Sequence, residues 1–239
     1  MNMIPKTIHY CWFGGKEKPK SVKRCIASWR KYCPDYEIKE WNEGNYDVNA
    51  LPYSREAYKN GKYAFVSDVA RFKVLYEEGG VYFDTDVEVI RPIDELVKRG
   101  AFIGWERPDA LGNVHVAPGL GLAAPKGFPL YDEILKHFAK LSYYQENGQW
   151  NKYTMIPLVT DLLREEGLRL DGSLQAIDGL TVYPADFLCP MDSLTGKTEL
   201  TTNTYTIHHY SMSWLPKPTQ WRVRVMRIVR KICKNPFAY

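Results

Sequence analysis

Between Ala64 and Val89 the chain reads AFVSDVARFKVLYEEGGVYFDTDVEV, an order of residues that few folds accommodate. Phe65, Val69, Phe72 and Tyr76, with Leu75 beside them, recur at three- and four-residue steps, which predicts a helix with one apolar face. Gly79-Gly80 ends it, because glycine takes the left-handed conformation a helix terminus needs. Val81-Tyr82-Phe83 is a short apolar run suited to a buried strand, and it delivers Asp84 to that strand's carboxyl end. Asp86 follows with one residue between them, and no Lys or Arg occurs until Arg91. Two crowded carboxylates without a cation repel each other, and a divalent metal resolves the conflict. Asp68 and Arg71, at i and i+3, share one helix face. Singly, Asp-x-Asp is a common surface turn and Asp68–Arg71 a solvated ion pair of little value. In this order, at the strand end where open α/β sheets hold their ligands, they describe a site for a metal-bound phosphate.

The chain's 239 residues, 45% of them hydrophobic, suffice for a full core in one domain. No apolar run approaches the roughly 18 residues of a membrane span, and MNMIPKTIHYCW lacks the apolar core of a signal peptide. Five cysteines at irregular spacing (Cys11, Cys25, Cys33, Cys189, Cys233) fit reduced thiols and a cytoplasmic location. Seven of the 32 basic residues lie from Lys217 onward, where no acid occurs, leaving 25 basic against 28 acidic residues in the body. A mildly acidic body argues against a protein that wraps nucleic acid.

In chain order, Thr7 to Trp12 reads as a first strand, turning at Phe13-Gly14-Gly15, with Trp12 able to stack on a flat base. Val22 to Tyr32 is helical and stopped by Pro34, Tyr36 to Trp41 is a second strand, and a short helix spans Tyr53 to Asn60. Val87 to Ile90, Phe102 to Trp105, Leu120 to Ala124, Leu180 to Tyr183 and Tyr205 to His208 read as further strands. Leu130 to Leu141 and Ile156 to Glu166 are helices. Between those two lies a stretch carrying Tyr143, Tyr144, Gln149, Trp150, Asn151 and Tyr153, whose aromatics and amides suit either a sugar or a surface loop with buried anchors. The alternation predicts a single-domain α/β fold with a mixed central sheet built on a nucleotide-binding half. A late histidine, His208 or His209, is a candidate metal ligand beside Asp84 and Asp86, and such a donor set suits Mn²⁺. Wound as a helix, Trp221 to Lys234 gathers Trp221, Val225, Ile228, Val229 and Ile232 on one face among basic residues. That pattern suits an anionic bilayer surface, and it divides the chain into a body, 1–216, and a basic tail, 217–239.

Ile4-Pro5-Lys6 with His9-Tyr10-Cys11-Trp12, Ser67-Asp68-Val69-Ala70-Arg71, Gly79 to Asp86, and His208-His209 with Ser213-Trp214 together resemble glycosyltransferase family 32, the Asp-x-Asp sugar transferases. The signature is also similar to the catalytic domains of clostridial glucosylating toxins. The resemblance implies a GT-A fold, a nucleotide-sugar donor, with UDP-hexose favoured, Mn²⁺ or Mg²⁺, and retention of anomeric configuration. It further implies a glycan or lipid-linked saccharide acceptor in surface polysaccharide synthesis. It assigns Trp12, Asp68, Arg71, Asp84, Thr85, Ser213 and Trp214 to the nucleotide sugar, and Asp84, Asp86 and a late histidine to the metal. Catalysis falls to Asp68, Arg71 and Asp86. Met155-Ile156-Pro157 replaces the Gly-Pro of many relatives, so acceptor residues are not carried over there.

Two other classes compete. DTDVE could be the aspartyl nucleophile motif of HAD-type phosphatases, with Asp84 attacking phosphorus, but that motif opens its domain and here a complete αβ unit precedes it. Alternatively the chain is a non-catalytic membrane-surface protein whose basic tail is its function.

Overall fold

The computed structural model describes residues 3–145, 148–149, 151, 155–212, 215 and 217–232. Through the first half, strand and helix alternate as the periodicities predict: β1 (Thr7–Cys11), α1 (Lys20–Tyr32), β2 (Glu37–Trp41), α2 (Pro52–Lys59), α3 (Tyr63–Glu78) and β3 (Gly80–Tyr82). Next come β4 (Val87–Val89), α4 (Asp94–Lys98), β5 (Ala101–Gly104), a 3₁₀ turn (Pro118–Leu120) and β6 (Leu122–Ala124). The remainder is α5 (Pro129–Lys140), α6 (Met155–Glu165), β7 (Gln175–Ile177), β8 (Leu180–Tyr183), α7 (Ala185–Leu188), β9 (Thr206–His208) and α8 (Lys217–Ile232).

Seven strands form one mixed sheet in the order β2-β1-β3-β6-β5-β8-β7. β1, β2, β3, β5 and β8 point one way, while β6 and β7 run against them. The carboxyl ends of β1, β3 and β5 therefore open on the same edge, which is where Trp12, Asp84 and Glu106 follow in sequence. Side chains alternate across the sheet as a pleated strand requires. Ile8, Val81, Phe83 and Phe102 pack with α1 and α4, and Cys11, Tyr82 and Ile103 pack with α2, α3, α5 and α6. The result is a helix–sheet–helix sandwich.

Three expectations needed revision. α3 is not amphipathic with a single apolar face: Val66, Ala70, Arg71 and Val74 are buried along with Phe65, Val69, Phe72 and Leu75, because the helix runs between the sheet and its neighbouring helices. Gly79 ends that helix with φ 71° and ψ −174°, a conformation outside the left-handed helical basin but still one for glycine. A Cβ on Gly80 would meet the Thr7 carbonyl at 2.7 Å and His9 Nε2 at 2.9 Å, so both glycines are required by close approach. Finally, Val87–Val89 leaves the main sheet and pairs antiparallel with β9 in a separate ribbon, Val87 opposite His208. Trp29 Nε1 donates to the Val87 carbonyl at 2.8 Å and fastens that ribbon to α1.

Candidate active site

Trp12, Asp68, Arg71, Asp84, Thr85, Asp86 and His208, drawn from four separate stretches of the chain, border one cleft of about 620 Å³ at the carboxyl edge of the sheet. Trp12 comes from the end of β1, where its indole donates to the Lys16 carbonyl at 2.6 Å and Lys18 Nζ stands 5.8 Å from the ring centre. Beneath it, His9 is a structural pin. Its Nδ1 accepts from Trp41 Nε1 at 3.0 Å, which leaves Nε2 protonated to donate to the Gly79 carbonyl at 2.9 Å. Burial lowers its pKa and keeps it neutral.

The floor of the cleft is a charge triad. Arg71 is 2% exposed, so its pair with Asp68 is no solvated surface bridge. Arg71 NH2 lies 2.9 Å from Asp68 Oδ1 and 3.2 Å from Asp84 Oδ1, while Nε donates to the Ser67 carbonyl. The Tyr82 hydroxyl also donates to Asp84 Oδ1, at 3.1 Å. Burial disfavours the guanidinium charge, but Asp84, Tyr82 and Asp68 more than offset it, so Arg71 stays a fixed cation. Burial pushes Asp68 up to about 6 against the pull of Arg71. It raises Asp84 too, with Arg71 opposing and Asp86 reinforcing.

Asp86 differs. Burial would raise it, yet the His208 imidazole and Ser211 hold its carboxyl well below the usual range. His208 Nε2 lies 3.1 Å from Asp86 Oδ1 and the Ser211 N–H donates to Oδ2 at 2.7 Å. The segment making these contacts is strained: Tyr210 and Met212, on either side of Ser211, have φ of 46° and 50°. His208 thus faces the cleft, whereas His209 turns outward to Glu88, 2.7 Å away. Ser213 and Trp214 lie outside the described residues. Gly119, Tyr82, Ser211 and Glu106 are site residues that motif reading passed over.

Two carboxylates and an imidazole match the donor set of a divalent cation, although among the described residues no group of three such side chains is already gathered to hold one. The fit is nevertheless good at one corner. His208 Nε2 and Asp86 Oδ1 face each other across the distance a shared proton spans, so the same two atoms could turn to a shared cation. Asp84, next to Asp86, has oxygens that Arg71 and Tyr82 only partly satisfy.

Comparison with known proteins agrees with this geometry. Residues 19–103 match the family described as "Glycosyltransferase sugar-binding region containing DXD motif", and the matched segment carries Asp68, Arg71, Asp84 and Asp86. Among individual proteins, the chain is similar to inositol phosphoceramide mannosyltransferase 3 of Schizosaccharomyces pombe, 28% identical over 147 residues, which cover 59% of this chain and 38% of that protein. Toxin Afp18 of Yersinia ruckeri is 27% identical over 121 residues, half of this chain and 5% of the toxin. The match thus spans little more than a third of the mannosyltransferase. The fold is that of a GT-A glycosyltransferase: PaToxG Glycosyltransferase aligns with a TM-score of 0.52 and 23% identity, covering 70% of this chain and 71% of its own.

Proposed function

We propose that the chain is a metal-dependent, retaining glycosyltransferase that moves a hexose from a nucleotide sugar, UDP-linked by preference, to a glycan or lipid-linked saccharide in surface polysaccharide synthesis. The observation that carries this reading is the convergence of Asp86 and His208, 122 positions apart in sequence, beside Asp84 and the Arg71 triad. Trp12 offers a ring for the base, and Asp68 accepts hydroxyl hydrogens of ribose or sugar. Arg71 sets a buried positive charge under the diphosphate, where negative charge grows as the glycosidic bond breaks. Asp84, Asp86 and His208 would hold Mn²⁺ or Mg²⁺, which when bound neutralises the leaving diphosphate. Thr85 borders the cleft, and the resemblance assigns Ser213 and Trp214 to the same nucleotide sugar.

The relative's name supports an acceptor borne on lipid and places mannose among the sugars worth testing. α8 supports the same direction. Its Gln220, Val223 and Arg227 line a small hollow with residues 209–212, while Trp221, Ile228 and Val229 stay at least half exposed. With seven basic and no acidic residues from Lys217 onward, residues 217–239 form a tail that meets an anionic membrane, and residues 1–216 form the catalytic body. No helix among the described residues is long and apolar enough to cross a membrane. Cys11, Cys25, Cys33 and Cys189 are buried free thiols, in keeping with a cytoplasmic setting.

A panel of UDP-hexoses and mannose donors, assayed for nucleotide release with Mn²⁺ and again with chelator, tests the reading. We expect release with one donor, lost on chelation and in Asp86→Asn. Equal release after chelation would remove the metal role, and no binding of any nucleotide sugar would remove the function.

A further inference from the structure

The peptide group joining Tyr210 to Ser211 is gripped on both sides. Its N–H, from Ser211, donates to Asp86 Oδ2 at 2.7 Å. Its carbonyl, from Tyr210, accepts from Arg227 NH1 at 3.3 Å. A trans peptide is planar, with its N–H and C=O pointing in opposite directions, and no peptide among the described residues is cis. Arg227 and Asp86 therefore face each other across one rigid plate, and turning that plate breaks both hydrogen bonds at once. A cation on the carbonyl also polarises the peptide, which makes its N–H a stronger donor to the carboxylate.

The plate needs holding. Tyr210 and Met212 have φ of 46° and 50°, a region that residues other than glycine occupy only where their surroundings impose it. The Tyr210 side chain is fixed by a hydrogen bond between its hydroxyl and Cys189 Sγ, 2.9 Å apart, and by the His208 ring, 4.2 Å from its own. Arg227 fixes the peptide itself. A second bond sets the aim of its guanidinium, Nε donating to the Ser193 carbonyl at 3.0 Å, so one planar fork spans carbonyls of two segments. Gln220, Val223 and Arg227, at three- and four-residue steps along α8, line the hollow against residues 209–212. Trp221 and Ile228 stand exposed on the same helix.

The other end of this linkage is the corner of the cleft. With Oδ2 held by Ser211, Asp86 turns Oδ1 toward His208 Nε2, 3.1 Å away. The His209 N–H donates to the Asp86 carbonyl at 3.0 Å, so the backbone at this corner is fixed as well.

Resting on the metal reading above, we propose that Arg227 is a positioning residue of the donor site: by fixing the Tyr210–Ser211 peptide it aims Asp86 Oδ1 and His208 Nε2 at a divalent cation. α8 then supports the cleft through its inner side while Trp221 and Ile228 face outward. Groups that orient metal ligands without touching the metal govern affinity by roughly ten- to a hundredfold.

The test titrates Mn²⁺ into the full chain, alone and with UDP, and follows free Mn²⁺ by electron paramagnetic resonance. Arg227→Met keeps the stem and removes the fork. Loss of a positive charge near the site favours a divalent cation, so charge alone predicts tighter binding. We expect the opposite, Mn²⁺ affinity at least about tenfold weaker. The Ser211 amide proton should also move upfield in the nuclear magnetic resonance spectrum as its bond to the carboxylate is lost. Arg227→Lys keeps the charge but not the fork. It should lose affinity too, and it carries the test if Arg227→Met fails to fold. Affinity equal to wild type, or tighter, in either folded variant would overturn the role of Arg227, and so would an unmoved Ser211 amide. A wild-type chain that takes up no Mn²⁺, alone or with UDP, would instead remove the metal reading, and the role of Arg227 with it.

Discussion

Gly119 has no space for a side chain because the Asp84 carboxylate fills it: a Cβ there would collide with Asp84 Oδ2 and lie 3.3 Å from Arg71 NH1. The backbones also touch, Asp84 N–H donating to the Gly119 carbonyl at 3.4 Å. Gly119→Ala should therefore rotate the carboxylate away from its Arg71 partner without disturbing the core. We expect turnover to fall about tenfold, equivalent to roughly 1.4 kcal/mol, with a melting temperature within about 2 °C of wild type. Full activity in this variant would mean that Asp84 is not held where the reaction needs it.

Arg71 holds two buried carboxylates together as well as bordering the cleft. Replacing it by Met keeps the volume but leaves Asp68 and Asp84 without their cation inside the protein. Breaking a buried pair in this way costs about 3–5 kcal/mol, which for a chain of this size lowers the melting temperature by roughly 10 °C. Calorimetry of Arg71→Met checks this, and a shift under 3 °C would show that the triad contributes little to the fold.

Asp68 sets opposite pH trends for stability and for donor binding. Its carboxyl is pushed up to about 6, so the folded protein takes this proton before the unfolded chain does, and lowering the pH from 7 to 5 favours folding through this group. The same proton discharges the carboxylate that pairs with Arg71 and to which the proposed function gives the donor hydroxyls. Titration calorimetry should show nucleotide-sugar affinity falling below pH 6 in the wild type and staying low and flat in Asp68→Asn. Across that interval the wild type should gain melting temperature relative to the variant. Wild-type affinity that is constant from pH 7 to 5 would deny Asp68 this part.

The exposed strip of α8 can be tested apart from the cleft. Trp221→Ala with Ile228→Ala removes two outward side chains, 67% and 57% exposed. We expect several-fold weaker sedimentation with phosphatidylglycerol vesicles, no change with phosphatidylcholine, and unchanged hydrolysis of soluble donor. Equal sedimentation of variant and wild type would show that the strip serves another purpose.

Much of this was readable from residue order. β1, α1, β2, α2, α3 and β3 follow one another along the chain and are dictated by local periodicity, so their bounds fall within about three residues of expectation. Asp68, Arg71 and Asp84 sit on those elements and were legible with them. What the local pattern could not convey is pairing between distant segments. Val87–Val89 alternates like any sheet strand, and nothing near it says that Thr206–His208 is its partner. The choice between His208 and His209 depends on that register, which turns one imidazole inward and the other to Glu88. Short elements such as α4, α7 and β7 are held by their surroundings and carry little periodicity of their own. Glu106 did leave a trace: a lone acid directly after the buried run Ala101 to Trp105 repeats the arrangement of Asp84 after Val81 to Phe83.

The ribbon of β4 and β9 also orders events in time. A chain emerging from the ribosome can complete α3, β3 and the Arg71 triad before residues 206–212 have been made. Asp86, however, gains His208 and Ser211 only after translation has passed them. A nascent protein halted at residue 200 would carry Asp68, Arg71, Asp84 and Asp86 yet lack His208 and Ser211, the two residues that hold the Asp86 carboxylate.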